Sequence, residues 1–342
     1  METAPDMAST SVVHTGVDRR IELVGIVCRL AGYPEYSVNW PLRYLSEIGK
    51  WFSRYSRHPA VRMAQRLLVE DGIGYNAPLS LVVHADPFTL LPLVPLDPLP
   101  EKLDTRWTPR TAAAFLQALA DFSRDTDFAG FFDSHSHLYN EVSDRIAGLV
   151  EKDRLVDWME EFFGSPCRAE RNILISYLTG FRHYGLSVRL PRGCLALNPV
   201  LGVSYWTHAE FRAISPLLSA ILIHEFSHGY VNDLVDEAWP ELEPLMTALV
   251  TGRKTILPAV YADSLSLAYE SVVRACESWF TLETYGKDES ERMLALYESE
   301  GFDLVRDLIP VIGSYAANRV RYPEFRDYLP VIVDYFRIKS GA

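Results

Sequence analysis

The chain has 342 residues, of which 48% are hydrophobic and 23% charged, the make-up of an ordinary folded protein rather than a largely disordered one. Its 33 Lys and Arg stand against 45 Asp and Glu for a net charge of −12, which repels phosphate backbones and anionic lipid and argues against nucleic acid as a partner. The four cysteines, Cys28, Cys167, Cys194 and Cys276, are scattered without a Cys-x-x-Cys spacing, so neither a zinc ribbon, a redox pair nor a disulfide framework is expected.

The residues before Asp18 are aperiodic and contain Ser and Thr, and 1–17 are predicted to be a disordered leader. Asp18 opens a helical pattern that runs through Leu30 and stops at Gly32 with Pro34 just beyond. Pro41 to Tyr55 and Pro59 to Glu70 read as two further helices with proline in the first turn, and Asn76 is placed to cap a fourth. Pro87, Pro92, Pro95, Pro98 and Pro100 then forbid helix. Thr108-Pro109 starts another helix by cap and first-turn proline, and helical periodicity continues with breaks to about Phe163. Asn172 to Leu178, Leu186 to Leu190 and Cys194 to Asn198 are candidate strands of a small sheet. Helices follow at Asp263 to Thr284, Glu289 to Gly301, Phe302 to Ile312 and Pro323 to Ile338. The expected organisation is an N-terminal helical region over 18–165, a catalytic core over 166–285 and a C-terminal helical region over 286–342. The fold class is α+β, predominantly helical. No window approaches the roughly 20 apolar residues of a membrane span. The start lacks the pattern of an export signal, so the sequence as given reads as cytoplasmic.

Chemistry concentrates at His224-Glu225-Phe226-Ser227-His228. On a helix, two histidines four residues apart share a face and can reach one ion, with the intervening glutamate beside them as a general base. From Ala213 to Asn232 the only other ionisable side chain is Tyr230, so three groups that are costly to bury sit together in an apolar segment.

A catalytic zinc takes three protein ligands and leaves one position open. A third histidine six residues after His228 is excluded, because Val231 and Leu234 occupy the places that pattern needs. The remaining source is an acid from elsewhere. On the Asp263 to Thr284 helix, Glu270 and Glu277 share one polar face with Ser266, Arg274 and Thr281, opposite an apolar stripe. Glu270 is the first candidate, with Glu277 as the alternative third ligand and Asp233 or Glu237 behind them. That face also reads as a solvated one with Arg274 bridging two carboxylates.

The helix Ile221 to Asn232 resembles zincin metallopeptidases of the gluzincin type, in which the third ligand is a downstream glutamate. More closely, the chain resembles an uncharacterised bacterial family defined only as a domain of unknown function, family 4932. That likeness is carried by Glu22-Leu23, Arg29 to Tyr36, Trp51-Phe52, His58 to Val61, Arg106-Trp107, the zinc-type helix, and Tyr269-Glu270 with Arg274-Ala275. The resemblance implies a zincin-like core with a small mixed sheet over the HExxH helix, and it favours Glu270 as third ligand. Many gluzincins carry an Asp four residues after that glutamate, where this chain has Arg274. The partner that orients a ligand histidine must then come from elsewhere, with Asp263 and Asn198 as candidates.

The function expected is that of a zinc metallopeptidase with one Zn²⁺ per chain, acting on a peptide or protein substrate. Zinc lowers the pKa of its water, and Glu225 takes the proton and returns it to the leaving amine. Oxyanion or substrate contacts are sought among Tyr261, Tyr269, Arg274, His183 and Tyr230. The competing reading is a catalytically silent zincin-like module that binds zinc and acts in protein interaction. Retention of Glu225, which a closed structural site does not need, argues against it. His135-Ser136-His137 has the His-x-His form of another metal motif, but it falls between helical segments, where such residues are mostly solvated.

Overall fold

Asp18 sets the start of the first helix by chemistry that the sequence displays. Its carboxylate accepts from the backbone N–H groups of Arg20 at 2.8 Å and Ile21 at 3.2 Å, and α1 runs over Arg19–Leu30. Gly32, at φ +82°, takes the left-handed turn that ends it. The computed structural model describes residues 13–37, 39, 42–165, 169–180, 182–191, 195–204, 206–251 and 263–341. The fold is predominantly helical with one small mixed sheet, as the sequence led us to expect. No helix among the described residues is long and apolar enough to cross a membrane.

The chain groups into two compact units that cut across the linear blocks read from sequence. One unit holds the described residues between 10 and 148 and between 168 and 207. Its helices are α1, α2 (Leu42–Phe52), α3 (Pro59–Glu70), α4 (Ala77–Val82), α5 (Pro109–Asp125), α6 (Phe128–Ser134) and most of α7 (Ser136–Lys152). Thr108 and Thr111 form a reciprocal capping box at the start of α5.

The sheet of this unit is built around β2 (Glu170–Ser176). Its Ile173, Leu174 and Ile175 are all buried, as in a strand covered on both faces. β1 (Val13–Val17) runs parallel along one side of β2, with Val13 opposite Arg171 and Val17 opposite Ile175. The expectation of a disordered leader is therefore corrected for residues 13–17. Five residues without alternation carry no strand signal until β2 supplies a partner. Residues 1–12 lie outside the described residues. The other side of β2 is shared by β5 (Leu195–Leu197) and β6 (Val200–Gly202), both parallel to it. β4 (Ser187–Arg189) pairs antiparallel with β5, and β3 (His183–Tyr184) with β6. Cys194, expected to open a strand, lies outside the described residues.

Glu22 locks α1 to this sheet. Its carboxylate is buried and accepts from the Tyr44 hydroxyl at 2.6 Å, the Ser176 hydroxyl at 2.7 Å and the Tyr177 N–H at 2.9 Å. Gly25, one turn on, lets the helix approach Leu178, whose Cδ1 would lie 2.9 Å from a Cβ at that position. Burial raises the Glu22 carboxyl above its ordinary 4.5, opposed by these three hydrogen bonds.

The second unit holds the described residues from 149 to 165 and from 208 onward. It contains α8 (Leu155–Phe163), α9 (His208–Thr251), α10 (Ser264–Tyr285), α11 (Lys287–Ser299), α12 (Leu304–Ala317) and α13 (Phe325–Ser340). α9 continues through Pro216, Pro240 and Pro244, each of which lacks the N–H that a helix interior uses. α10 lies against α9, α12 packs on α10, and α13 packs on α9. Phe162 joins α8 to both outer helices, since its carbonyl accepts from the Tyr315 hydroxyl at 2.7 Å and its ring meets that of Phe325. The sheet and the HExxH helix thus belong to different units.

Replacing Glu22 with Ala strands the Ser176 hydroxyl and the Tyr177 N–H, leaves the Tyr44 hydroxyl only its Tyr139 partner, and is expected to cost about 3 kcal/mol in urea unfolding at neutral pH. Because the folded-state pKa is raised, the stability this carboxyl contributes is complete below about pH 4.5 and is lost as pH rises through its folded-state value. Wild type should lose stability relative to Glu22→Gln over that interval. A pH-independent difference would contradict the assignment.

Candidate metal centre

α9 presents His224 and His228 on one face, one turn apart, with their rings 5.0 Å between centroids and at 82°. α10 runs antiparallel to it: as numbers rise along α9 through Ser219, His224, His228 and Asp236, their partners on α10 fall through Tyr285, Glu277, Glu270 and Tyr269. Asp263 caps α10 through the Ser266 N–H at 2.8 Å. The face of α10 that bears the acids is buried rather than solvated, with Glu277, Ser278 and Thr281 all inside. Its polarity is there to meet α9.

His224, His228 and Glu270 form a cluster that could hold a metal ion. The two Nε2 atoms lie 3.3 Å apart, and each is 3.6 Å from an oxygen of Glu270, Oε2 for His224 and Oε1 for His228. What faces inward follows from what lies behind. His224 Nδ1 is 3.0 Å from Glu277 Oε2 and His228 Nδ1 is 3.0 Å from Asn232 Oδ1. Both partners are acceptors, so each Nδ1 carries the hydrogen and donates. Each Nε2 is then left with a lone pair, and these lone pairs converge with two carboxylate oxygens and no donor between them. That donor set suits a cation.

Electrostatics agree. Burial lowers the His224 pKa to about 3, reinforced by the Arg274 and His228 charges and opposed by Glu270, so the ring is neutral and able to ligate. Burial pushes Glu225 up to about 7, with the negative charges of Glu270 and Glu277 adding to it and His228 and Arg274 opposing. Glu277 is likewise raised to about 7 by burial, against the pull of Arg274 and a hydrogen bond from Tyr297.

The structure brings His224, His228, Glu270 and Glu277 together and separates their roles. Glu270 faces the histidine Nε2 atoms, and Glu277 stands behind His224. The orienting partners expected at Asp263 and Asn198 are corrected: Asp263 caps α10, and Asn198 bonds Asn172 and the Ala196 carbonyl. Arg274 reaches back one turn, with its Nε 3.1 Å from Glu270 Oε2. Tyr269 donates its hydroxyl to Asp236. Tyr230 stacks on Phe163 at 4.1 Å and 6°. His183 lies on β3 in the other unit, where burial lowers its pKa to about 4. Tyr261 lies outside the described residues. His135 is bonded to the Phe131 carbonyl and to Glu47, and His137 is exposed, so the His-x-His pair assembles no site. Sequence reading missed Asn232 and Tyr297. Asn232 was signalled by its place four residues after His228, whereas Tyr297 arrives from α11 with no local signal.

Residues 102–335 match the family described as "Domain of unknown function (DUF4932)". The chain belongs to it. No curated protein and no solved structure matches the chain. The DUF4932 segment takes in the three clustered residues together with Glu225, Asn232, Arg274, Glu277 and Tyr297. Of the resembling stretches before the match, those at Glu22 to Tyr36 and Trp51 to Val61 precede residue 102.

Purified protein is expected to carry about one divalent metal per chain by elemental analysis after gel filtration. His224→Ala and Glu270→Ala should each abolish it. Glu277→Gln should retain binding with affinity reduced about 10–100-fold, because it alters only the partner of a ligand.

Proposed function

We propose that this protein is a zinc-dependent peptidase of zincin type, with His224, His228 and Glu270 holding Zn²⁺ and Glu225 as general base. The observation that carries the reading is a cluster of three members, not four, among the described residues, with a further carboxylate next to it in sequence. A closed structural zinc site takes four protein ligands, while a catalytic one takes three. The spacing suits the ion as well. The two Nε2 atoms lie 3.3 Å apart and each is 3.6 Å from one of the two Glu270 oxygens, so the three side chains could reach one ion.

When bound, zinc supplies Lewis acidity that brings water near neutrality and polarises a carbonyl. The rest falls to the chain. Glu277 and Asn232 hold the histidines in the tautomer that ligates, and Arg274 holds Glu270. Glu225 takes a proton on its carboxylate from the attacking water as the oxygen bonds to the carbonyl carbon. It then delivers that proton to the departing nitrogen as the C–N bond breaks. Its raised pKa suits a group that must both accept and release a proton near neutral pH.

Glu225→Gln separates turnover from binding. The variant should keep its zinc and lose peptide hydrolysis by at least about 10²-fold, read as kcat/KM on a mixed peptide library. Wild-type protein that binds zinc but cleaves nothing would favour the silent zinc-binding module instead.

A further inference from the structure

Asp153 lies in the turn between α7 and α8, and its side chain is only 5% exposed. Its Oδ2 accepts from the Ser219 hydroxyl at 2.7 Å and from the Tyr285 hydroxyl, and those two hydroxyl oxygens are 3.2 Å apart. Oδ1 faces the exposed Lys152, whose Nζ is 3.3 Å away. Ser219 belongs to α9 and is fully buried, while Tyr285 is the last residue of α10. One carboxylate oxygen therefore joins the two helices that form the cluster, and all three residues lie in one unit. Each hydroxyl has a single hydrogen, and both hydrogens are committed to the same acceptor.

We infer that Asp153 is a positioning residue for the metal centre: by holding Ser219 and Tyr285 on one acceptor it fixes the register of α10 against α9, and so sets Glu270 opposite His224 and His228. The inference rests on the metal-binding part of the reading above and not on hydrolysis. Ser219 stands five residues before His224, about 7.5 Å of helix, and Tyr285 stands eight after Glu277, about 12 Å. Neither the stretch from Ser219 to His228 nor that from Glu270 to Tyr285 contains Gly or Pro, so each carries the position of its tied end to the cluster without a kink. The hydrophobic drive that presses the helices together is non-directional. A slide of one residue, by contrast, moves a hydroxyl about 1.5 Å along the axis as it turns, which takes it out of hydrogen-bond range. The tie at the other end, from Tyr269 to Asp236, is exposed, and water competes there for both groups.

The test is a zinc titration of the full chain against a competing chelator, with the visible spectrum of the cobalt-substituted protein as a second readout and thermal unfolding of the metal-free protein as the control. Ser219→Ala removes the tie on α9, and Tyr285→Phe removes the tie on α10 while keeping the ring. Each is expected to weaken zinc binding about tenfold and to alter the cobalt bands. Because either deletion breaks the bridge, the double variant should also lose about tenfold, well short of the roughly hundredfold that independent effects would give. Asp153→Ala should match the hydroxyl deletions. A tie that served only stability would lower the unfolding temperature of the metal-free variants and leave zinc affinity and cobalt bands unmoved, and that result overturns the inference. So would single losses that multiply in the double variant. If Asp153→Ala does not fold, the two hydroxyl deletions decide by the same titration. Wild type that binds no zinc defeats this inference and the peptidase reading together. Zinc-replete wild type with indifferent Ser219→Ala and Tyr285→Phe variants defeats this one alone.

Discussion

Four acceptors that face one another, with Arg274 beside only one of them, are an unstable thing to bury, and the organisation of α9 and α10 turns on that fact. Two imidazole lone pairs and two carboxylate oxygens converge because the hydrogens of both rings are drawn outward, by Glu277 on one side and Asn232 on the other. Turned the other way, either ring would donate into the cluster and the repulsion would be relieved. The structure spends its buried polar groups on preventing that relief. Such an arrangement is poised for a positive charge, and a cation is what resolves the conflict that its own hydrogen bonding creates.

Arg274 stands four residues after Glu270 and Glu277 seven, and the two divide the support of the cluster between them. On a helix, positions four and seven residues after Glu270 lie about 60° apart around the axis, both close to its own direction. A carboxylate at the second position and a cation at the first therefore both stay on the face: Glu277 meets His224, and Arg274 meets Glu270. There is an electrostatic consequence. With Glu225, Glu270 and Glu277 ionised, Arg274 and a divalent ion bring the buried cluster to zero net charge. Neutrality is the condition under which burial costs least.

How much of this can be read in advance depends on which residues share a helix. His224 and His228 are legible because the four-residue spacing is itself the geometry. Glu270 and Glu277 are legible as a pair, since both fall on one face, but their roles are not. Which one faces the histidine Nε2 atoms and which one stands behind His224 is set by the register of α10 against α9, a tertiary fact. The same holds for that face as a whole, which sequence reads equally well as solvated and which is in fact buried. Tyr297 and Phe302 reach Arg274 from across a turn, and no periodicity announces them. In the sheet, β2 is visible from its apolar run, whereas β1, β3 and β6 are strands mainly by virtue of their neighbours. Helix starts at Asp18, Pro59 and Thr108 fare best, because a cap is local chemistry. The length of α9 fares worst, since three prolines argue against a continuity that packing sustains.

Register is the remaining requirement, and the metal alone is poorly placed to set it. A slide of α10 by one residue moves every side chain about 1.5 Å along the axis and 100° around it, which would carry Glu270 away from both histidines. The pair is tied at points beyond the cluster. Toward one end, Asp153 accepts from the hydroxyls of both Ser219 on α9 and Tyr285 on α10. Toward the other, the Tyr269 hydroxyl donates to Asp236. Each tie joins the two helices by polar groups, so a slipped register would forfeit them together with the His224, His228 and Glu270 cluster. The geometry of the cluster is thus held by contacts that do not depend on an ion, which is the preorganisation that a site for a small, geometrically demanding cation would require.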